Sequence, residues 1–128
     1  LVMSVAFRGA LPVHAQQQAD SKPNQLLEER IAALKYLTTM TERAYKQGSV
    51  SFEEMYQSQQ KVLRAELDLA ENQKDRVSIH ERLAKMAAER ETMIETLAKR
   101  SSASMADAIN AKVERIEAEI ALERARSN

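Results

Sequence analysis

Two stretches 53 residues apart carry the same punctuation, and that duplication constrains the fold more than any other feature of the chain. Residues 42–54 (ERAYKQGSVSFEE) are echoed by residues 95–107 (ETLAKRSSASMAD). The match continues outward, Thr39-Met40 with Thr92-Met93 and Ala65-Glu66 and Leu69 with Ala118-Glu119 and Leu122. Each copy reads as the end of a helix, a short turn and the capped start of the next helix. A repeated helix–turn–helix makes an extended helical scaffold.

The turn chemistry is specific. Gly48 suits the left-handed position just past a helix end, which other residues enter at a cost. Ser51-Phe-Glu-Glu54 then reads as a capping box, in which the Ser51 hydroxyl accepts from the Glu54 amide and the Glu54 carboxylate reaches back to the Ser51 amide. Ser104-Met-Ala-Asp107 repeats the logic with a shorter acid. Ser101 stands where the first copy has glycine, which predicts a looser second turn.

Between these turns the apolar residues keep helical spacing. Leu27, Ile31, Leu34, Leu37, Thr41 and Ala44 form one stripe on a helix of about residues 24–47. Residues 52–100 hold no glycine or proline, and Met55, Leu63, Leu69, Leu83 and Ile94 recur on a period near 3.5. Gln59, Glu66, Gln73 and His80 interrupt that seam at seven-residue intervals. A last helix, about 105–125, carries Ile109, Val113, Ile116 and Ile120. The fold expected is all-α: three helices in elongated antiparallel coiled-coil hairpins, sharing a long central helix of about 75 Å. Acid-first pairs at Glu42–Lys46, Glu81–Lys85 and Glu95–Lys99 suit the exposed faces. The organisation predicted is a signal peptide at 1–15, a flexible linker at 16–24 and a helical domain at 25–127.

Composition supports this and removes several functions. Lys plus Arg balance Asp plus Glu at 19 each, so no net field steers the chain to nucleic acid. Charged residues are 30% and aromatics 4%, poor material for a broad globular core but normal for narrow helical seams. The absence of cysteine excludes disulfides and thiolate metal sites. At the N-terminus, Val13-His14-Ala15 puts small residues at the positions a signal peptidase selects, after a mostly apolar stretch and before a polar Gln16-Gln17-Gln18 run. That reads as a secretory signal without its basic start, and predicts an exported, periplasmic chain. The apolar run is too short for a membrane span.

Reactive constellations are not found, so no catalytic, cofactor or metal residue is assigned. His14 and His80 are far apart, and a helix-borne zinc site wants a second ligand three or four residues away. Glu28-Glu29 and Glu53-Glu54 are neighbours on a helix and diverge by about 100°. Ser101, Ser102 and Ser104 lack a histidine or lysine base. Met40, Met55, Met86, Met93 and Met105 fall at or beside seam positions and are expected to fill the core.

The run Tyr45-Lys-Gln-Gly48-Ser-Val-Ser51-Phe-Glu-Glu54-Met55-Tyr56, followed by Ala65-Glu66 and Leu69-Ala70, resembles the helix–turn–helix repeat of TolC-type outer-membrane efflux proteins. In that family a helix ends in Tyr-x-x-Gly, a Ser or Thr caps the next, and an acidic residue and an Ala-Glu-x-x-Leu-x-x-Ala pattern follow. Ser104, Asp107, Ala118, Glu119 and Leu122 resemble it in the second copy. The alternating strands of the family's barrel do not occur here. The resemblance therefore implies a non-enzymatic, exported structural or interaction protein like the coiled-coil part of efflux proteins, partnered by copies of itself or by envelope proteins. The alternative is a small periplasmic helical chaperone or an envelope stress or metal sensor.

Overall fold

The computed structural model describes residues 21–128, and over them it is all-helical, with no strand. The signal-like segment 1–15 and residues 16–20 of the expected linker lie outside the described residues. Four helices follow in order: α1 (Val2–Lys46, described from Ser21), α2 (Phe52–Leu69), α3 (Gln73–Lys99) and α4 (Met105–Ser127). Residues 21–24 are helix rather than linker, Pro23 included. A proline lacks the amide donor, but its fixed φ is itself helical.

The duplicated turns are one structure used twice. After α1, Ser49 N–H donates to Ala44 O (2.8 Å) and Gly48 N–H to Tyr45 O (2.9 Å). After α3, Ser102 N–H donates to Leu97 O (2.8 Å) and Ser101 N–H to Ala98 O (3.1 Å). Both are the paired closing bonds of a Schellman motif. Gly48 has φ 77° and Ser101 has φ 61°, so the second turn is as defined as the first, and a serine holds its left-handed position. The caps differ slightly. Ser51 Oγ accepts from Glu54 N–H at 3.1 Å, but the reciprocal bond expected from Glu54 is not made, and that longer side chain stays exposed. Ser104 and Asp107 close both halves of the box, each at 3.0 Å.

The long central helix does not exist. Residues 52–100 break at Ala70–Asn72, so the described residues form four helices and not the expected three. Ala70 leaves the helix with ψ 122°, and Asn72 becomes an N-cap whose Oδ1 accepts from Asp75 N–H at 2.9 Å. Its Nδ2 also donates to the Asp75 carboxylate at 3.0 Å. The gain that drives the fold-back is apolar burial. Leu63 on α2 meets Ile79 and Leu83 on α3, flanked by Leu67 and Met86. A straight helix would have left those residues to another molecule.

The helices form an antiparallel meander in which α1 packs on α2, α2 on α3 and α3 on α4. Among the described residues no backbone contact joins α1 to α4, so these two are edges of the assembly. Charged side chains tie neighbours together. Glu66 of α2 receives Lys35 of α1 (3.6 Å) and Arg82 of α3 (3.2 Å). Arg90 of α3 grips Glu53 of α2 (2.9 Å) and Glu114 of α4 (2.8 Å). Arg30–Asp68 (2.7 Å) and Arg126–Glu81 (3.5 Å) add outer links. None of the three expected i,i+4 pairs is among the ion pairs: Glu81 turns to Arg126, because a partner on the next helix is in reach.

The core is thin. Among the described residues no large side chain is fully buried. Ile31, Leu63 and Leu83 are buried as the seam reading predicts, and Leu27, Leu34, Met55, Leu69 and Ile94 are half-buried. The expectation fails on α4. Ile109, Ile116 and Ile120 are exposed, and the face on α3 is made by Ala111 and Leu122, with Arg115 and Ala118 half-buried. The bulkier stripe is turned outward. Leu37 of the expected α1 stripe, Met40 and Met105 are likewise exposed rather than core, while Met55, Met86 and Met93 are half-buried.

Candidate functional site

Three features collect functional groups, and each starts from helix spacing. The first is the cluster around Tyr56. Glu53, Tyr56 and Gln60 recur on one face of α2 at three- and four-residue steps, which brings them opposite Arg90. The Arg90 guanidinium carbon lies 5.5 Å from the Tyr56 ring centre, and Gln60 Nε2 donates to the Tyr56 hydroxyl at 3.2 Å. Phe52 stacks on the same tyrosine at 6.1 Å. Burial, with the Glu114 carboxylate next in effect, pushes the Tyr56 hydroxyl above its usual range and keeps it protonated. Burial works against charge on Arg90, but its hydrogen bond to Glu53 and the charges of Glu114 and Glu53 outweigh that, and its pKa is raised. The cluster is a clamp that joins α2, α3 and α4.

The second feature is an open groove between α1, α2 and α3. Lys35, Glu42, Glu66, Arg82, Lys85 and Glu89 line it around Thr38 and Met86. Thr38 is buried at its floor, where its Oγ1 lies 2.8 Å from Ser58 Oγ and donates to Leu34 O at 2.8 Å. Charges of both signs thus ring a floor that Val62, Leu63 and Met86 make partly apolar.

The third is the outer face of α4. Ile109, Val113, Ile116 and Ile120 follow steps of four, three and four, and all are exposed. At about 100° per residue, Ile116 points roughly 160° away from Ala118, which faces α3. Thus α4 has two apolar faces and covers only one. On α1, Leu26, Leu37 and Met40 are exposed in the same manner, beside the buried Ile31–Thr38 face.

The residues singled out from the sequence separate into these roles. Gly48, Ser51, Ser104 and Asp107 shape the two turns, and Glu54 contributes its backbone alone. His80 lines a groove with Tyr56, Arg64 and Glu117, and no cluster of three or more His, Asp or Glu among the described residues is arranged to hold a metal. Ser104 is occupied as a cap. No described helix is long and apolar enough to cross a membrane. Arg90, Asn72 and Thr38 escaped the sequence reading. Asn72-x-x-Asp75 was a legible cap signal, and Thr38 stood on the Leu34 stripe, whereas nothing local marks Arg90. Comparison with protein-family models, with curated proteins and with solved structures finds no match.

Proposed function

We propose that this chain is a non-enzymatic helical interaction protein that docks other helices along the free outer faces of its edge helices, chiefly α4. One observation carries the reading: α4 bears a second, exposed stripe of Ile109, Val113, Ile116 and Ile120 behind the face it packs on α3. An amphipathic helix at the border of a fold needs one apolar stripe, and a second one marks a contact surface. Support also comes from the satisfied polar groups, since no buried side-chain donor or acceptor lacks a partner among the described residues. An envelope location and a part in efflux assemblies belong to the same proposal. They rest on the residues around Gly48 and Ser51 and on Val13-His14-Ala15, and cell fractionation tests the location. The chaperone alternative loses ground because the concave groove is charged.

A photo-crosslinking residue at Val113 tests the reading in cells. Crosslinks to protein are expected there, and not from Lys61, which is exposed on α2 away from either edge. No crosslink from Val113 would remove the proposal.

A further inference from the structure

We propose that copies of this chain associate head to tail, α1 of one copy packing on the outer face of α4 of another just as α3 packs on α2 within the chain. The inference rests on reading the α4 stripe as a contact surface, and the internal repeat identifies what covers it.

Shifting by 53 positions carries Tyr56, Leu63 and Leu67 of α2 onto Ile109, Ile116 and Ile120 of α4. The α2 set is the face toward α3; the α4 set is left exposed among the described residues. Tyr56 and Leu63 are each 3% exposed, against 55% for Ile109 and 38% for Ile116. The other side of the interface obeys the same shift. Ile79 of α3, packed toward α2 and 8% exposed, corresponds to Leu26 of α1, which is 58% exposed. Within the chain, then, the second helix of one hairpin receives the first helix of the next. The last hairpin still offers the receiving face, and the first still offers the docking face.

Transferring the α2–α3 register gives the contacts. Leu63 and Leu83 lie together in the core, and so does the pair Tyr56 and Arg90. In each pair the residue numbers have the same sum, so shifting one partner up and the other down by 53 preserves it. Ile109 then meets Leu37 of the second copy, Val113 meets Ala33, and Ile120 meets Leu26. Arg30, whose guanidinium is held by Asp68 within its own chain, falls opposite Ile116 and lays its aliphatic stem on the isoleucine. One contact is worse than its internal counterpart. Glu66 pairs with Arg82 at 3.2 Å inside the chain, but the shifted positions are Glu119 and Glu29, two like charges. The association is accordingly weaker than the internal interface. Because the two faces differ, a pair of copies retains one free α1 and one free α4, and the contact is heterologous.

Analytical ultracentrifugation over a concentration series tests this, with circular dichroism to confirm that every variant keeps its helix. Wild type is expected to associate reversibly. Leu37→Glu and Ile116→Glu, both at exposed positions, are each expected to be monomeric alone. Mixed, they should form a one-to-one heterodimer and nothing larger, since one retains an intact α4 face and the other an intact α1 face. Glu29→Arg, which recreates the internal ion pair, should lower the dissociation constant several-fold. A monomeric wild type at all concentrations overturns the proposal, and so does undiminished self-association of Leu37→Glu, which would mean a symmetric α4–α4 contact. Crosslinking from Val113 to a different protein alone would also overturn it while leaving the broader interaction reading intact.

Discussion

Two turn residues show how far one backbone angle sets local stability. Ser101 holds φ 61°, where an L-residue's Cβ crowds the following carbonyl, and Gly48 holds φ 77° without that penalty. Ser101→Gly should therefore stabilise the fold by about 1 kcal/mol. Gly48→Ala should destabilise it by a similar ~1 kcal/mol through conformation alone, because an added Cβ there meets nothing within 4 Å. Urea denaturation of both variants checks the pair. Asp107 adds a pH dependence. The Ser104 backbone amide, and then its hydroxyl, hold the Asp107 carboxyl below the usual carboxylate range. A depressed folded-state pKa contributes stability above the unfolded value of about 3.9, lost as pH falls through the lower folded one. Asp107→Asn should flatten the acid limb of the stability profile below about pH 4, measured by denaturation from pH 2 to 6.

At the scale of the element, the break between α2 and α3 separates a compact meander from a rod. Spin labels at Gln57 and Glu89, both exposed, should lie on the order of 15–20 Å apart across neighbouring helices, allowing for label arms. A continuous helix would hold them about 48 Å apart, so a double electron–electron resonance distance decides between the two. Asn72→Ala removes the cap of α3 and should cost about 1 kcal/mol. The break was partly legible: Asn72 and Asp75 have the spacing of a cap, and Glu66 and Gln73 were polar residues on what looked like a seam. Folded back, Glu66 takes its place between Lys35 and Arg82, and Gln73 Nε2 donates to the carbonyls of Ala125 (3.1 Å) and Arg126 (3.2 Å) near the end of α4. Without glycine or proline, helix propensity alone could not show whether the cap would be used. Tertiary burial of Leu63 against Ile79 and Leu83 decided that.

Across the whole molecule, cohesion depends on a few residues that touch three helices, because the apolar core is thin. Arg90 is the foremost, with a side chain 12% exposed between Glu53 and Glu114. Arg90→Ala should cost roughly 1–3 kcal/mol, the range for hydrogen bonds to charged groups. The cost should shrink little with added salt, since the arginine is sheltered from solvent. Arg30→Ala, whose ion pair with Asp68 is exposed on both sides, should cost under about 1 kcal/mol and be screened. Thermal melts of the two variants at low and high salt make the comparison.

The chain's own residues determined the helical class, both duplicated turns, their caps and most of the α1–α2 seam, since these follow from local φ preference, short-range hydrogen bonds and the spacing of side chains on one helix. Ile31 and Leu34, Gly48 and Ser51, and Ser104 with Asp107 belong to that set, whereas the looser turn expected at Ser101 and the second bond expected of Glu54 do not. Only the tertiary structure decided which of two apolar faces on α4 would be covered: that of Ala111 and Leu122, and not the isoleucine stripe. It also decided the fold-back at Ala70–Asn72 and the placement of Arg90 between Glu53 and Glu114. Such choices compare burial and ion pairing between residues far apart in sequence, energies that no local pattern encodes.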